Sequence, residues 1–480
     1  MSGSQNYKYS LGVFWFRRDL RLSDNVGLYH ALQECEKVLP IFIFDKNILS
    51  SLSSYDKRVD FIYESILSLN QSLQNYQGNL QIFFSTPEEA FQKLLDSFPI
   101  EAVYCNEDYE PYANHRDLAV QNFLLNHHID FTSYKDQVIF AKNDILNSQN
   151  QPFHVFTHYK NAWLKKIQTQ HYQDFTPQRY SFLPIPFTIP DLESLGFEKT
   201  NLFSSQLQPG ENGAKILIEH FFKKIDSYHI QRDFPNISGT SYLSIYNRFG
   251  LVSIRSFIRK LFSLQSLSEG KSIWLSELIW REFYMQLLHH YPRIAKEPFQ
   301  TQYIHFPWEN NLELFQQWAL GQTGIPIIDA AMNQLNKTGY MHNRLRMIVA
   351  SFLTKDLLID YRLGEQYFSE KLLDFDLAAN NGGWQWAAST GCDAAPYFRM
   401  FSPIRQSEKF DKDALFIQKY LPIFQNVPIK MIHTPWVYEK ELQEFGVRLG
   451  ENYPKPIVNL STRRKEVLSI FENYFRSLKN

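Results

Sequence analysis

The chain has 480 residues, 44% hydrophobic and 21% charged, which is longer than one core usually supports and excludes a disordered or fibrous chain. A formal net charge of −1 excludes polyanion binding through overall charge, so contact with nucleic acid requires a local basic face. Cys35, Cys105 and Cys392 stand far apart, odd in number and without metal-ligand spacing, which argues for no metal site and a reducing, intracellular compartment.

In chain order, MSGSQNYKYS lacks the apolar core of a secretory signal, and no apolar run is long enough for a bilayer, so a cytoplasmic protein is expected. The runs LGVFWF (11–16) and VLPIFIF (38–44) flank a helical stretch at 26–31 and read as strand, helix, strand. Residues 81–84 and 102–104 are further strands, set among helical patterns at 58–76, 87–97 and 114–127. This alternation predicts an α/β domain over 9–140, Rossmann-like, with a parallel sheet covered by helices on both faces. Residues 141–210, rich in Gln, Asn, Ser, Thr and Pro, predict a long connector. Beyond it strand patterns vanish, and helix-period segments follow at 213–228, 251–266, 272–290, 311–320, 326–336, 342–357 and 364–374. A larger all-α domain is therefore predicted over 211–480. Arg463, Arg464 and Lys465 read as a solvated helix face.

Several segments carry chemistry. Arg17, Arg18 and Arg21 share the loop FWFRRDLRLSDN (14–25), and no glycine-rich fingerprint follows the first strand, which disfavours a nicotinamide site. GTSYLS (239–244) offers a glycine, hydroxyls and backbone N–H groups ahead of a helix, suited to a phosphate or to an ordinary capped helix start. In WLSELIWREFY (274–284), Glu277 and Arg281 have the spacing of a surface ion pair, while Trp274, Trp280 and Glu277 combine aromatic faces with a carboxylate. GYMHNRLRM (339–347) is too polar for a core helix. In the segment at 372–403, Asp374 and Asp376 read as turn formers and 380–383 as a tight loop, or the whole as a polar loop wrapping a planar heterocycle.

Taken together, RDLRLSDN, GYMHNRLRM and NGGWQWAASTG make residues 11–460 resemble the photolyase–cryptochrome family, specifically its bacterial-type, class I photolyases for cyclobutane pyrimidine dimers. The resemblance implies reduced FAD held by Tyr228, Thr240, Ser241, Leu243, Ser244, Trp274, Glu277, Arg281, Asn343, Arg346, Asp374, Asp376, Asn380 and Gly383. Within that set it implies pyrophosphate at 240–244, the Arg346 and Asp374 pair beside the isoalloxazine, and Asn380 facing flavin N5. An asparagine there favours repair over light sensing. It also implies a dimer pocket of Glu277, Trp280, Asn343, Met347 and Trp386, with Glu277 stabilising developing charge. Arg232, Arg281, Arg344 and Arg399 would clamp phosphates of UV-damaged DNA, double- or single-stranded. The expected protein is a cytoplasmic, nucleoid-associated monomer that repairs dimers by light-driven electron transfer.

Three positions depart from the family pattern. The electron chain matched by Trp384, Tyr361 and Trp308 has tyrosine at its centre. Tyrosine loses a proton when oxidised, so photoreduction is expected to be slow, or to bypass Tyr361 through Trp318 or Trp386, with repair by already reduced cofactor unaffected. Tyr340 stands for a common tryptophan, and Ile245 for a frequent proline, which leaves that backbone less fixed. Glu110 and Lys296 match antenna contacts of 5,10-methenyltetrahydrofolate, with 8-hydroxy-5-deazaflavin the alternative, while Asp108 and Ala295 depart from the folate pattern. Asn343 and Met347 replace the two histidines of (6-4) photolyases, removing that reaction's proton donor. Trp386, rather than tyrosine, argues against a single-strand-preferring cryptochrome.

Overall fold

The computed structural model describes residues 7–202, 207–264 and 266–479. Residues 203–206 of the expected connector, and Gln265 in the expected helix at 251–266, lie outside them. The chain divides into two units. One comprises Met1–Phe153, Thr157–Asp226 and Ser241–His290, and the other His154–Phe156, Ser227–Thr240 and Tyr291–Asn480.

In the first unit, β1 (Tyr9–Phe16), α1 (Val26–Glu34), β2 (Cys35–Asp45), α2 (Lys57–Gln74), β3 (Gln81–Ser85), α3 (Pro87–Ser97), β4 (Ala102–Asn106), α4 (Pro111–Asn126) and β5 (Asp130–Tyr134) alternate. The strands form one parallel sheet in the order β3-β2-β1-β4-β5. Val13, Phe14, Trp15 and Phe16 are all buried, as strands covered on both faces require. β5 adds a fifth strand beyond the expected four. Its sequence DFTSY is largely exposed at the sheet edge, so it carries no apolar run to betray it. The strand order changes direction between β1 and β4, where sheets of this kind open a crevice at the strand ends.

The loop arginines do not form a free basic patch. The Arg17 guanidinium binds Asp117 and the Asn106 carbonyl. Arg21, almost wholly buried, places Nη2 2.7 Å from both Asp136 oxygens. The unit also contains helices α5 (Gly210–Phe222), α6 (Ser244–Arg248), α7 (Ile254–Phe262) and α8 (Glu269–His290). Arg255 of α7 joins the network through Asp136 at 2.8 Å and Asp24 at 3.0 Å. Burial opposes the charged form of Asp136, but the Arg21 and Arg255 guanidiniums outweigh it and hold the carboxyl at about 2. Asp136→Asn leaves two guanidiniums under-compensated and is expected to cost about 3–5 kcal/mol, read from the urea midpoint. The wild-type contribution is full above the unfolded carboxylate value, roughly 3.9, and is lost as pH falls toward about 2. The variant should lose this acid dependence between those limits.

In α8 the buried Glu282 carboxylate accepts from the backbone N–H groups of Ile139 (2.8 Å) and Phe140 (3.0 Å) and from Trp163 Nε1 (2.7 Å). Burial pushes it up to about 7 against those bonds. It fixes the rotation of α8, and with it the direction of Glu277, Trp280 and Arg281.

The second unit is helical. It contains α9 (Leu312–Ala319), α10 (Pro326–Thr338), α11 (Asn343–Ser351), α12 (Tyr361–Lys371), α13 (Leu377–Ala388), α14 (Pro403–Phe410) and α15 (Leu460–Ser477) around a core that includes Trp318, Ile328, Leu335, Leu345, Phe368 and Trp384. After α11 the backbone widens into a π turn, Phe352–Asp356. The expected tight loop at 380–383 is instead the middle of α13. The Asp376 side chain caps its start by accepting from Ala379 N–H at 3.1 Å, and Ala378, Asn381, Gln385 and Ala388 bury one face. That burial outweighs two helical glycines at roughly 1 kcal/mol each. The basic run at 463–465 is not wholly solvated either. Arg463 Nε donates to the Asp356 carbonyl at 2.8 Å, and its guanidinium pairs with Glu309.

All three cysteines are free and buried. Burial pushes their thiols up, to about 11 for Cys35 and about 12 for Cys105 and Cys392.

Candidate functional site

In the first unit, the segment before α6 turns through Tyr242, whose φ of 55° is left-handed, and Ser241 Oγ accepts from Leu243 N–H at 3.3 Å. Leu243 is buried, while Ser244 opens the helix exposed. On α8, Glu277, Trp280 and Arg281 are half-buried and share one face by their spacing of three and four. Trp280 packs its ring on Phe283 and Tyr284. Arg281 donates to the Gln137 carbonyl at 2.7 Å. Trp274, one turn earlier, is buried among Phe221, Phe222 and Phe257, so most of its surface is spent on packing. At the end of β4, Glu110 is held by Arg18 (2.7 Å) and Arg248 (3.4 Å), and Asp108 by Arg18 (3.2 Å).

In the second unit, Tyr228 is buried beneath the Arg232 guanidinium, 5.4 Å from its ring. The Thr240 hydroxyl is buried without a hydrogen-bond partner. His342 caps α11, its Nδ1 accepting from Arg344 N–H at 3.2 Å. Burial, with Arg346, Arg344 and Arg232 adding to it and Asp233 opposing, drives His342 down to about 4, so the imidazole is neutral. Asn343 is exposed. Arg344 pairs with Asp233 at 2.9 Å, lies 4.6 Å from the Phe410 ring, and approaches the Met347 sulfur at 3.8 Å. Arg346 Nη2 meets both Asp374 oxygens, at 3.0 and 2.9 Å, and its Nε donates to the Met341 carbonyl.

On α13, Asn380 donates from Nδ2 to the Glu365 carbonyl at 3.0 Å, which turns its amide oxygen away as an acceptor. Gly383 is exposed, and a Cβ there would meet nothing within 4 Å. Trp384 is buried against Phe368 (5.0 Å) and Trp318 (6.0 Å, edge-to-face). Trp386 is half-buried beside Phe401. Gly364 lets α12 approach Trp384, since a Cβ would lie 2.2 Å from its ring. Tyr361 is buried, its hydroxyl has no hydrogen-bond partner, and burial pushes the phenol up. Among the described residues no ring contact joins Tyr361 to Trp384 or Trp308. Trp308 instead packs on Phe306. Arg399 and Lys296 are exposed.

These residues fit the flavin nucleotide that the resemblance implies. The Thr240 hydroxyl lacks a partner, Gly383 leaves a bare helix face, and Asn380 keeps an amide oxygen available. Sequence reasoning missed Asp233 as the partner of Arg344, the backbone carbonyl of Glu365 as the group orienting Asn380, and Glu282 as the anchor of α8. All three lie outside the aromatic and glycine-rich clusters that drew attention.

The family model described as DNA photolyase matches residues 12–178, and that for the FAD binding domain of DNA photolyase matches 274–473. The chain is similar to the deoxyribodipyrimidine photo-lyase of Alkalihalophilus pseudofirmus, 39% identical over 96% of this chain and 98% of the relative. That of Escherichia coli is 38% identical, with 96% and 98% covered. A class III photolyase structure from Agrobacterium tumefaciens superposes with a TM-score of 0.91 at 32% identity, covering 99% of this chain and 100% of the other.

Proposed function

The chain belongs to the DNA photolyase family, and from that membership we propose that Glu277, Trp280, Asn343, Met347 and Trp386 receive the damaged dinucleotide. The activity is that of a deoxyribodipyrimidine photo-lyase, light-dependent repair of cyclobutane pyrimidine dimers in DNA, with FAD as cofactor. No helix of the described residues is long and apolar enough to cross a membrane. When bound, reduced FAD supplies on illumination the electron that opens the cyclobutane ring, so the protein needs no acid–base triad.

The protein's share is holding and orienting. Thr240, Ser241, Leu243 and Ser244 hold the pyrophosphate, and Tyr228, Trp274, Arg281, Arg346, Asp374, Asp376 and Gly383 the rest of the nucleotide. Asn380, oriented by the backbone carbonyl of Glu365, presents its amide oxygen to a flavin N–H. Trp280 and Trp386 offer aromatic faces to flipped pyrimidines, Asn343 bonds their edges, and Glu277 stabilises charge that develops on the dimer. The observation that carries the cofactor assignment is the buried Thr240 hydroxyl without a partner, since such a group is costly unless a ligand or water satisfies it.

Arg232, Arg281, Arg344 and Arg399 take DNA phosphates. Exposed Arg399 brings a full charge, whereas Arg344 shares its charge with Asp233. Arg399→Ala is therefore expected to reduce the slope of log affinity against log salt by about one unit. Arg344→Ala should reduce it by less, both read by fluorescence anisotropy over a salt series.

We assign the antenna to 5,10-methenyltetrahydrofolate, or alternatively 8-hydroxy-5-deazaflavin, contacted by Glu110 and Lys296. At Glu110 a folate competes with two guanidiniums already in place. The protein acts as a monomer in the cytoplasm, associated with the nucleoid through DNA, on double- or single-stranded substrate. The deciding experiment illuminates dithionite-reduced protein with a thymine-dimer oligonucleotide, beside a dark control and a (6-4) oligonucleotide. Loss of the cyclobutane dimer in light alone supports the roles of Glu277, Asn343 and Trp386. Absence of repair by protein with fully reduced FAD overturns them in favour of a cryptochrome.

A further inference from the structure

Lys355 is an amine in an apolar interior. It lies in the π turn after α11, is 1% exposed, and reaches the far end of the helix that carries Asn380, Trp384 and Trp386. Its Nζ donates to the Ala388 carbonyl, the last of α13, at 3.0 Å and to Ser389 Oγ at 2.8 Å. From the other side the Phe471 ring of α15 lies 4.5 Å away. Ser389 itself is held at a left-handed φ of 69°. The preceding carbonyls of α13 are taken by the turn that follows. Gln385 O accepts from Thr390 and Gly391, and Trp386 O from Ser389 and Ala395. The Ala388 carbonyl is the one Lys355 takes up.

We propose that Lys355 is a positioning residue for lesion recognition: its ammonium, clamped between the C-terminal carbonyl of α13 and the Phe471 ring, sets the last turn of that helix and thereby the attitude of the Trp386 ring. A cation at a helix C-terminus is favoured by the exposed carbonyls there, and the aromatic face adds to the attraction. The wide turn that carries Lys355 is a feature frequent at functional sites. The proposal rests on the assignment of Trp386 to the damaged dinucleotide.

The groups facing Lys355 are the Ala388 carbonyl and Ser389 hydroxyl of the α13 terminus and the Phe471 ring of α15. Among the described residues it forms no ion pair with a carboxylate. The neighbouring Asp356 is buried, which pushes it up to about 8 against Arg464 and Arg463. Burial also lowers Lys355, to about 7. The clamp is thus charged in mildly acidic solution and discharged in mildly alkaline solution.

The test uses the full-length protein loaded with FAD and measures affinity for a thymine-dimer oligonucleotide relative to its undamaged counterpart, at pH 6 and pH 9. In the wild type the preference for damaged DNA should fall on going to pH 9. Lys355→Met should show the low preference at both pH values, with flavin content and unfolding midpoint at least equal to wild type. A merely structural lysine would move the midpoint and leave the pH profile alone. Should that variant fail to fold, Lys355→Gln, which keeps a donor without the charge, is measured in its place with the same expectation. A flat wild-type profile, or a variant that keeps wild-type preference at pH 6, overturns the proposal. Trp386→Ala separates the two assignments. If it keeps the preference, the role of Trp386 falls and the proposal with it. If it loses the preference while Lys355→Met keeps it, the proposal alone falls.

Discussion

Trp384→Phe is expected to abolish light-driven reduction of the bound flavin over the time in which the wild type completes it, while dithionite-reduced variant repairs dimers at the wild-type rate. Trp384 is the buried aromatic of α13, and its neighbours decide where an oxidising equivalent goes next. Trp318 lies 6.0 Å from it edge-to-face, and Tyr367 lies 5.8 Å beyond Trp318, its hydroxyl 2.7 Å from Asn336 Oδ1. Tyr361, by contrast, has a buried hydroxyl with no acceptor for the proton it must lose. Of the two bypasses, Trp318 has the ring contact with Trp384, whereas Trp386 packs beside Phe401. Trp318→Phe should therefore slow photoreduction severely and Tyr361→Phe hardly at all, as followed by flavin absorbance under continuous light with a thiol reductant. Loss of photoreduction in Tyr361→Phe, with Trp318→Phe unaffected, would sink this route.

Arg346→Ala should lose both flavin and stability. Asp374, 5% exposed in its side chain, is compensated by the Arg346 guanidinium on both oxygens. Removing the arginine leaves a buried carboxylate unpaired, a change worth about 3–5 kcal/mol. The lesion should appear as a lower urea midpoint and a reduced flavin-to-protein absorbance ratio after gel filtration. Arg346→Lys should recover only part of it, because an ammonium does not reproduce the planar, multidonor geometry of guanidinium. An unchanged flavin ratio in Arg346→Ala would remove this pair from the cofactor assignment.

How far the sequence reveals these features depends on where the stabilising energy lies. β1 and β2 are legible because strands buried on both faces spell continuous apolar runs, whereas β5 is not, since an edge strand such as DFTSY pairs through its backbone. α13 was obscured by its own composition. Local propensity reads Asn and Gly as a turn, but the Asp376 cap and a buried face settle the segment as helix. The aromatic and arginine clusters of the candidate site stand out by residue type. Their partners do not, because Asp233, Glu365 and Lys355 acquire meaning only from contacts many residues away. The bypass through Trp318 was legible as a possibility from the tryptophan's presence, and only the ring distances separate it from Trp386.

The three sequestered thiols have a practical corollary. With Cys35, Cys105 and Cys392 buried and held as thiols well above neutral pH, and the thiolate being the reactive form, maleimides should leave the native chain almost untouched. A single cysteine introduced at Phe398, exposed and beside the phosphate-binding Arg399, then becomes the sole point of attachment for a dye or spin label. The wild-type background is clean enough to watch a DNA duplex arrive at that spot, and the native thiols serve as an internal clock for global opening when the label is left out.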